Sequence, residues 1–467
     1  MFVLFLSAGV LASCRKTPEQ RASVLELTPA SISAGSEGGI EKISVKSSAS
    51  WRVSSDVRWV EVTPSSGHAS ERELQVSVKE NTGPARTATL TVKTMNLARM
   101  LKVSQEGMVD DGIERLTVQQ FRNRKDSSKD WYRLTGEVVS IADSGYGDLY
   151  LMDGTGFVYV YGLAPFQGGS NEDFVKLDVK AGDMITIVAK KKTYKGVVET
   201  DGAYLEYVSR GEYPGCCSAG ASASWLELPE TSGEDAYDFL CHLTASGERN
   251  YSAYYDKAAR VARWVAYPLT AEEKNTGRSD AYAFDPLIGE EDQPMLSRNS
   301  YQKRNLNGDE YIRGHMVPSY DRGGRSNLDL FLSTNIMPQS TALNGGVWGD
   351  MENMVRTWAR NCDTLYVVAG TDLNDARLKV EDTRGYEITV PSAIFKAVLA
   401  YSRNFGYKGL AAYFANDRSD ASAPLKEKCI SIDELEKKTG IDFFVNLPDN
   451  VEDEVEAQDP ASVTWWW

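Results

Sequence analysis

Histidine is the scarcest chemistry-bearing residue in this chain. Among 467 residues only three occur: His68, His242 and His315. Any imidazole chemistry therefore has very few candidates. Cysteine is nearly as rare, at positions 14, 216, 217, 241, 362 and 429. No Cys-x-x-Cys pair occurs, which argues against a zinc site of the usual spacing. The adjacent Cys216 and Cys217 cannot readily bond each other without strain. Long hydrophobic runs are missing: the apolar stretch Phe2–Ala12 is too short to span a bilayer as a permanent helix, and no longer one follows. Positive charge is short as well. Fifty-one Lys and Arg against 66 Asp and Glu leave a net charge of −15. That excludes coating nucleic acid by electrostatics alone, though not gripping a few phosphates locally. With 42% hydrophobic, 25% charged and 10% aromatic residues, the composition excludes global disorder, collagen and coiled coil. At roughly 100–200 residues per domain, the length predicts about three domains, each able to bury a core without disulfides.

The apolar stretch ends in Leu11-Ala12-Ser13-Cys14. This ending resembles the lipobox of bacterial lipoproteins, in which Cys14 becomes the lipidated first residue. One departure is that no Lys or Arg lies between Met1 and the apolar run. Residues 1–23 are thus expected to be a signal peptide and tether. The resemblance implies an exported protein, anchored in the membrane through Cys14, in the periplasm or at the outer membrane or cell surface of a Gram-negative bacterium. Five cysteines would remain in that oxidising compartment, and their pairing is not readable from the sequence.

From 24 to 108 short alternating runs such as Glu73-Leu74-Gln75-Val76-Ser77-Val78 and Ala88-Thr89-Leu90-Thr91-Val92 are separated by turn residues. Period-2 alternation at this spacing predicts an all-β sandwich. The stretches Ser48-Ala49-Ser50-Trp51, Trp59-Val60-Glu61-Val62-Thr63-Pro64 and Val103-Ser104-Gln105-Glu106-Gly107 resemble the BACON domain, an immunoglobulin-like module of exported bacterial proteins. The resemblance implies polysaccharide as a partner. The alternative is a spacer with Trp51 and Trp59 in its core. From 113 to 213 a second β-rich block contains Asp148–Met152, a turn over Asp153-Gly154-Thr155-Gly156, and Phe157–Tyr161. Strand, Asp-Gly turn and strand predict a small barrel. The block resembles OB-fold modules, which often bind oligonucleotides or oligosaccharides. Lys190-Lys191-Lys192 would then touch phosphate or be a solvated turn. Residues 214–245 read as a linker, 246–450 as a mixed α+β domain, and 451–467 as an acidic tail ending in three tryptophans.

The third region holds the informative pattern. Tyr311-Ile312-Arg313-Gly314-His315 is followed by Asn335-Ile336-Met337-Pro338-Gln339, and then by Asn344, Trp348, Glu352 and Arg356 at intervals of four. On one helix each step of four drifts by about 40°, so the four would share a face. An amide, a carboxylate and a guanidinium on one stripe are not a normal core stripe. An Asn oxygen suits magnesium, Glu352 would orient metal-bound water, and Arg356 would hold phosphate bidentately. A neutral His315 would deprotonate water. Together the parts match metal-assisted hydrolysis of a phosphodiester. Each also has a plainer role: His315 as a core histidine, Asn344 as a helix cap, Glu352 and Arg356 as a surface ion pair, and Trp348 as packing.

Arg313-Gly314-His315 and Asn344-x3-Trp348-x3-Glu352-x3-Arg356 resemble the DNA/RNA non-specific endonucleases, the ββα-metal nucleases. The segment Asn335–Gln339, Trp264–Tyr267 and Tyr301 also fit that pattern. The resemblance implies DNA and RNA as substrates, magnesium as cofactor (with manganese or another divalent cation as alternatives), His315 as general base and Asn344 as direct metal ligand. Glu352 would bind metal through water, and Arg313 and Arg356 would stabilise the phosphate. One position departs: Ile312 stands where the family usually has Asp, and Asp309 or Glu310 is a candidate substitute. The competing expectation is a surface lipoprotein that binds carbohydrate or nucleic acid and carries an inactive nuclease domain. Overall the expected architecture is multidomain: an immunoglobulin-like β-sandwich, an OB-like β-barrel and an α+β nuclease domain.

Overall fold

A computed structural model of the chain describes residues 24–467 apart from 82, 84, 108–110, 212, 214–224, 232–235, 245–246 and 273–276. Cys14, Cys216 and Cys217 lie outside the described residues, as does the expected signal segment. Of the others, Cys241 is disulfide-bonded, whereas Cys362 and Cys429 are free. The chain forms two compact units, the first ending at residue 110 and the second beginning at Asp111.

In the first unit the alternating runs become two packed sheets. One has the order Leu25–Thr28, Gly39–Ser47, Ser70–Val78, Val60–Thr63; the other has the order Ser31–Ala34, Ala98–Gln105, Arg86–Lys93, Trp51–Ser55, Ser66–Gly67. Every second residue faces inward, so Leu74, Val76, Ala88, Leu90 and Val92 meet in one core. Trp51 is buried there, while Trp59 is half-buried with the Arg86 guanidinium 4.2 Å above its ring.

The second unit begins with a closed barrel. Strands Tyr132–Asp143, Asp148–Asp153, Gly156–Val160, Val197–Ser209 and Met184–Tyr194 pair in that order, and the last returns to pair with the first. The helix Val118–Asn123 starts from a capping box between Thr117 and Gln120. This barrel is not a separate bead. Val139, Ala142 and Tyr150 lie in the same apolar core as the C-terminal region. The Phe284 amide donates to the Ile141 carbonyl (3.1 Å), and the Ser297 hydroxyl donates to that of Ala142 (2.6 Å). The Lys190–Lys192 run is held by carboxylates: Lys190 by Asp201, Lys191 by Asp126 and Lys192 by Glu199.

The C-terminal region is built on a seven-stranded antiparallel sheet, ordered Tyr237–Leu243, Arg249–Asp256, Val261–Leu269, Thr364–Asp372, Ala393–Ser402, Gly406–Ala415, Cys429–Ile430. Its first strand falls in the stretch expected to be a linker. Tyr237–Leu243 alternates poorly and is flanked by Gly, Ala and Ser, so its pairing with Arg249–Asp256, not its own pattern, makes it a strand. The sheet is covered on both faces. Val265, Val367 and Val398 point into one core; Trp264, Ala266, Val368 and Leu399 point into the other. The first core is roofed by the three-stranded sheet Asn305–Leu306, Asp309–His315, Ile336–Ser340 and by the helix Val347–Ala359. The second is roofed by the helices Ile432–Thr439 and Asp449–Glu456. Ser431 caps the first of these, accepting from the Glu434 amide. The expected acidic tail is docked: it continues that roof as the helix Asp449–Glu456, and Trp466 is buried, its carbonyl accepting from Trp358 Nε1 (3.0 Å).

Candidate active site

His315 ends the strand Asp309–His315, and period 2 places it on the same face as Arg313 and Tyr311. The intervening Gly314 has no alternative. A Cβ there would lie 2.3 Å from Gln339 Oε1, because the Gln339 side chain crosses over it from the paired strand Ile336–Ser340. Asn335 fixes the exit from the strand: its Oδ1 accepts from the Val317 amide (2.9 Å), and its Nδ2 donates to the carbonyls of Val317 and Leu330. The imidazole sits against Phe331 (centroids 4.7 Å, edge-on) and Tyr282 (6.0 Å). The Arg313 guanidinium lies 3.7 Å over the Tyr282 ring, and that of Arg278 lies 5.1 Å over Phe331. Burial, reinforced by the charges of Arg278 and Arg313, drops the His315 pKa to about 3. The imidazole is therefore neutral at pH 7. Its Nε2 is buried and has no hydrogen-bond partner among the described residues.

The four-residue repeat does not lie on one helix. Asn344 ends a short helix, Thr341–Asn344; the chain then turns through Gly345-Gly346 and starts the helix Val347–Ala359. Gly346 is required by a close approach, since a Cβ would sit 2.1 Å from the Ala421 carbonyl oxygen. Gly346, not Asn344, occupies the cap position, and among the described residues no side chain caps the helix. The Asn344 side chain is half-exposed and has no hydrogen-bond partner among the described residues. Trp348, Glu352 and Arg356 do share a face. Trp348 is fully buried.

Arg356 does not pair with Glu352 as the spacing suggested. Its Nη1 lies 3.0 Å from Asp321 Oδ1 and its Nη2 donates to Asn353 Oδ1 (2.9 Å), while the Tyr267 hydroxyl donates to the other Asp321 oxygen (2.9 Å). Glu352 is pushed up to about 7 by burial and by the Asp321 charge, against the pull of Lys396 and Arg356. Lys396 itself is completely buried. Its ammonium donates to the Met316 carbonyl (3.1 Å) and lies 4.6 Å over the Trp348 ring, and burial drops its pKa to about 8. Lys396 therefore links the two halves of the site: it touches the backbone beside His315 and lies in the field of Glu352.

Neither candidate for the missing carboxylate faces His315 as a free group. Asp309 accepts from Ser340 and pairs with Arg418 (3.3 Å), and Glu310 pairs with Arg304 (2.9 Å). Ile312 pairs across the strands with Gln339, whose amide nitrogen and oxygen are both buried without partners among the described residues. Sequence reasoning missed Lys396, Asp321, Arg278 and Tyr282. Only Lys396 carried a local signal, as a lone cation within Ala393-Ile394-Phe395-Lys396-Ala397-Val398-Leu399. His242, within the stretch expected to be a linker, is buried in the sheet. Its Nε2 is 2.9 Å from Asp285 Oδ2, which outweighs burial and raises its pKa.

Beside Arg313 opens a groove of about 720 Å³ walled by both parts of the second unit. The C-terminal region contributes Arg278, Arg298 and Arg313; the barrel contributes Arg122, Tyr159, Tyr194 and Lys195. The lining carries five cationic side chains against two carboxylates, Glu199 and Asp280, on a molecule of net charge −15.

Residues 242–450 match the DNA/RNA non-specific endonuclease family, and residues 24–108 match the viral BACON domain family. A nuclease of Nostoc sp. is 28% identical over 222 residues, covering 45% of this chain and 77% of that protein. A nuclease of Serratia marcescens is 27% identical over 205 residues, covering 43% of this chain and 75% of that protein. A crystal structure of an EndoG/EndoGI complex aligns with a TM-score of 0.37 at 19% identity, over 50% of this chain and 94% of that one. The chain therefore carries a BACON domain at its N-terminus and, in its C-terminal half, a nuclease domain of the DNA/RNA non-specific endonuclease family.

Proposed function

We propose that the protein hydrolyses phosphodiester bonds of both DNA and RNA, with His315 as general base and one divalent cation, magnesium by preference, at Asn344. The observation that carries this reading is the buried, neutral, unpartnered Nε2 of His315, on the strand that also presents Arg313. The residues fit a hard cation. Asn344 offers an amide oxygen with no partner among the described residues, and Glu352 is a carboxylate available to order metal-bound water. Bound there, the cation supplies charge neutralisation at the scissile phosphate.

The chain's own groups do the remainder. A phosphate set beside Arg313 and Arg278 neutralises the two charges that depress His315, so its basicity rises when substrate is in place. Nε2 then takes a proton from water as the water oxygen bonds to phosphorus. The bond from phosphorus to O3′ breaks, O3′ leaves and takes a proton from solvent, and the phosphate stays on the 5′ end. Arg356 holds its guanidinium fixed on Asp321 and stabilises the negative charge of the transition state. In the same reading the protein is exported and tethered through a lipidated Cys14, with the N-terminal sandwich as a spacer. The burial of Trp51 supports the spacer role over a polysaccharide platform.

The test is incubation of the protein with supercoiled plasmid and with RNA, in magnesium and in chelator, beside His315→Ala. The expected outcome is cleavage of both substrates by the wild type only with metal, and a loss of at least about 100-fold in the variant. Absence of cleavage with every common divalent cation would overturn the reading and leave a binding lipoprotein.

A further inference from the structure

On the sheet face opposite His315, five carboxylates converge. Asp433 and Glu436 come from the helix Ile432–Thr439, Glu452 and Glu456 from the helix Asp449–Glu456, and Asp442 from the segment between them. They form two triads that share one residue. Carboxylate oxygens of Asp433, Glu436 and Glu456 lie within 4.8 Å of one another, and so do those of Asp442, Glu452 and Glu456. The shared Glu456 is only 6% exposed, and its Oε1 is fully buried with no hydrogen-bond partner among the described residues. Among the described residues, the one hydrogen bond into the cluster is from the Phe443 amide to Glu436 (2.9 Å). Among the described residues, no Lys or Arg lies within ion-pair distance of any of the five. A buried carboxylate oxygen without donor or counter-ion is strongly unfavourable, and the arrangement persists only if something positive completes it.

We infer that the two triads sharing Glu456, with Asp433 and Glu436 on one side and Asp442 and Glu452 on the other, bind structural calcium, separate from the catalytic centre, and so clamp the C-terminal helix to the domain. The donors are hard carboxylate oxygens, which calcium binds at about 2.3–2.6 Å, so oxygens around one ion stand up to about 5 Å apart; both triads meet that limit. Magnesium keeps several waters and seldom accepts so many protein carboxylates. The clamp has a mechanical target. The helix Asp449–Glu456 rests on the strand Gly406–Ala415, where a Cβ at Gly409 would come within 2.6 Å of the Val455 carbonyl oxygen, so small shifts of the helix are felt in the sheet.

The test is thermal unfolding of the chelator-treated full chain with and without about 5 mM calcium, for wild type, Glu456→Gln, Asp442→Asn and Asn344→Ala. Calcium is expected to raise the wild-type Tm by about 5 °C. The rise should persist in Asn344→Ala and be reduced by at least about half in both cluster variants. Asp442 is exposed, so its variant keeps the test valid if Glu456→Gln folds poorly. No calcium shift in the wild type, or one that survives intact in Asp442→Asn or Glu456→Gln, would overturn the site. The readout is stability rather than cleavage, so the result stands apart from the nuclease reading.

Discussion

The protonation state of His315 is decided by what surrounds one ring. A solvent-facing imidazole would be partly charged near neutral pH; here burial and two arginines keep it neutral. The consequence for stability has a definite sign. The folded-state pKa, about 3, lies below the ordinary 6.5, so as pH falls from 6.5 the unfolded chain takes the proton first and stability is lost through that window. At about pH 4.5 this group should lower stability by about 2–3 kcal/mol relative to neutral pH. Urea unfolding of the wild type beside His315→Leu measures it: the variant should lose less stability between the two pH values. Equal losses would show that the ring is already hydrated in the folded state. Arg313, Gly314 and His315 were legible as a local run. Asp321, which binds Arg356, and Arg278, which helps depress His315, were not, because nothing in their sequence neighbourhoods marks them.

At the level of elements, the candidate active-site face is assembled from a hairpin strand and from a short and a longer helix that meet at Gly345-Gly346. The spacing of four correctly aligned Trp348, Glu352 and Arg356, since these lie within Val347–Ala359. It failed for Asn344 because the chain breaks its helix to pass beneath the Ala421 carbonyl. That close approach is invisible without the partner loop. Gly346→Ala should push the turn off this loop and displace Asn344 from the helix that carries Glu352. We expect activity to fall by about 10-fold or more, with a stability loss of about 1–3 kcal/mol. Cleavage assays paired with circular dichroism would check this, and full activity with unchanged stability would show that the turn relaxes freely. The Tyr237–Leu243 strand makes the same point, because only its pairing with Arg249–Asp256 distinguishes it from a linker.

For the whole molecule, the barrel and the C-terminal region act as one body. They share a core, and together they wall a groove whose positive lining runs against the protein's acidic total. Exposed Tyr194 and Lys195, at the tip of the hairpin joining Met184–Tyr194 to Val197–Ser209, are placed to meet bases and phosphates of a strand reaching Arg313. Lys195→Glu should raise KM for a single-stranded oligonucleotide by about 3–10-fold, leave kcat and Tm nearly unchanged, and weaken the salt dependence of binding. Steady-state kinetics at two ionic strengths would check it; an unchanged KM would place the substrate path elsewhere.

The sequence by itself determined the things that depend on neighbours along the chain. Alternation settled the β character of the first two regions, and the runs around His315 and Asn344 marked the domain as a nuclease. Tertiary structure decided what depends on distant residues. It set which carboxylate holds Arg356, how Lys396 reaches the backbone beside His315, that the barrel shares a core with the nuclease domain, and that five carboxylates meet around Glu456. The physical reason is the same in each case. Charge state and pairing follow from burial and from groups many residues away, and a linear pattern carries no record of either.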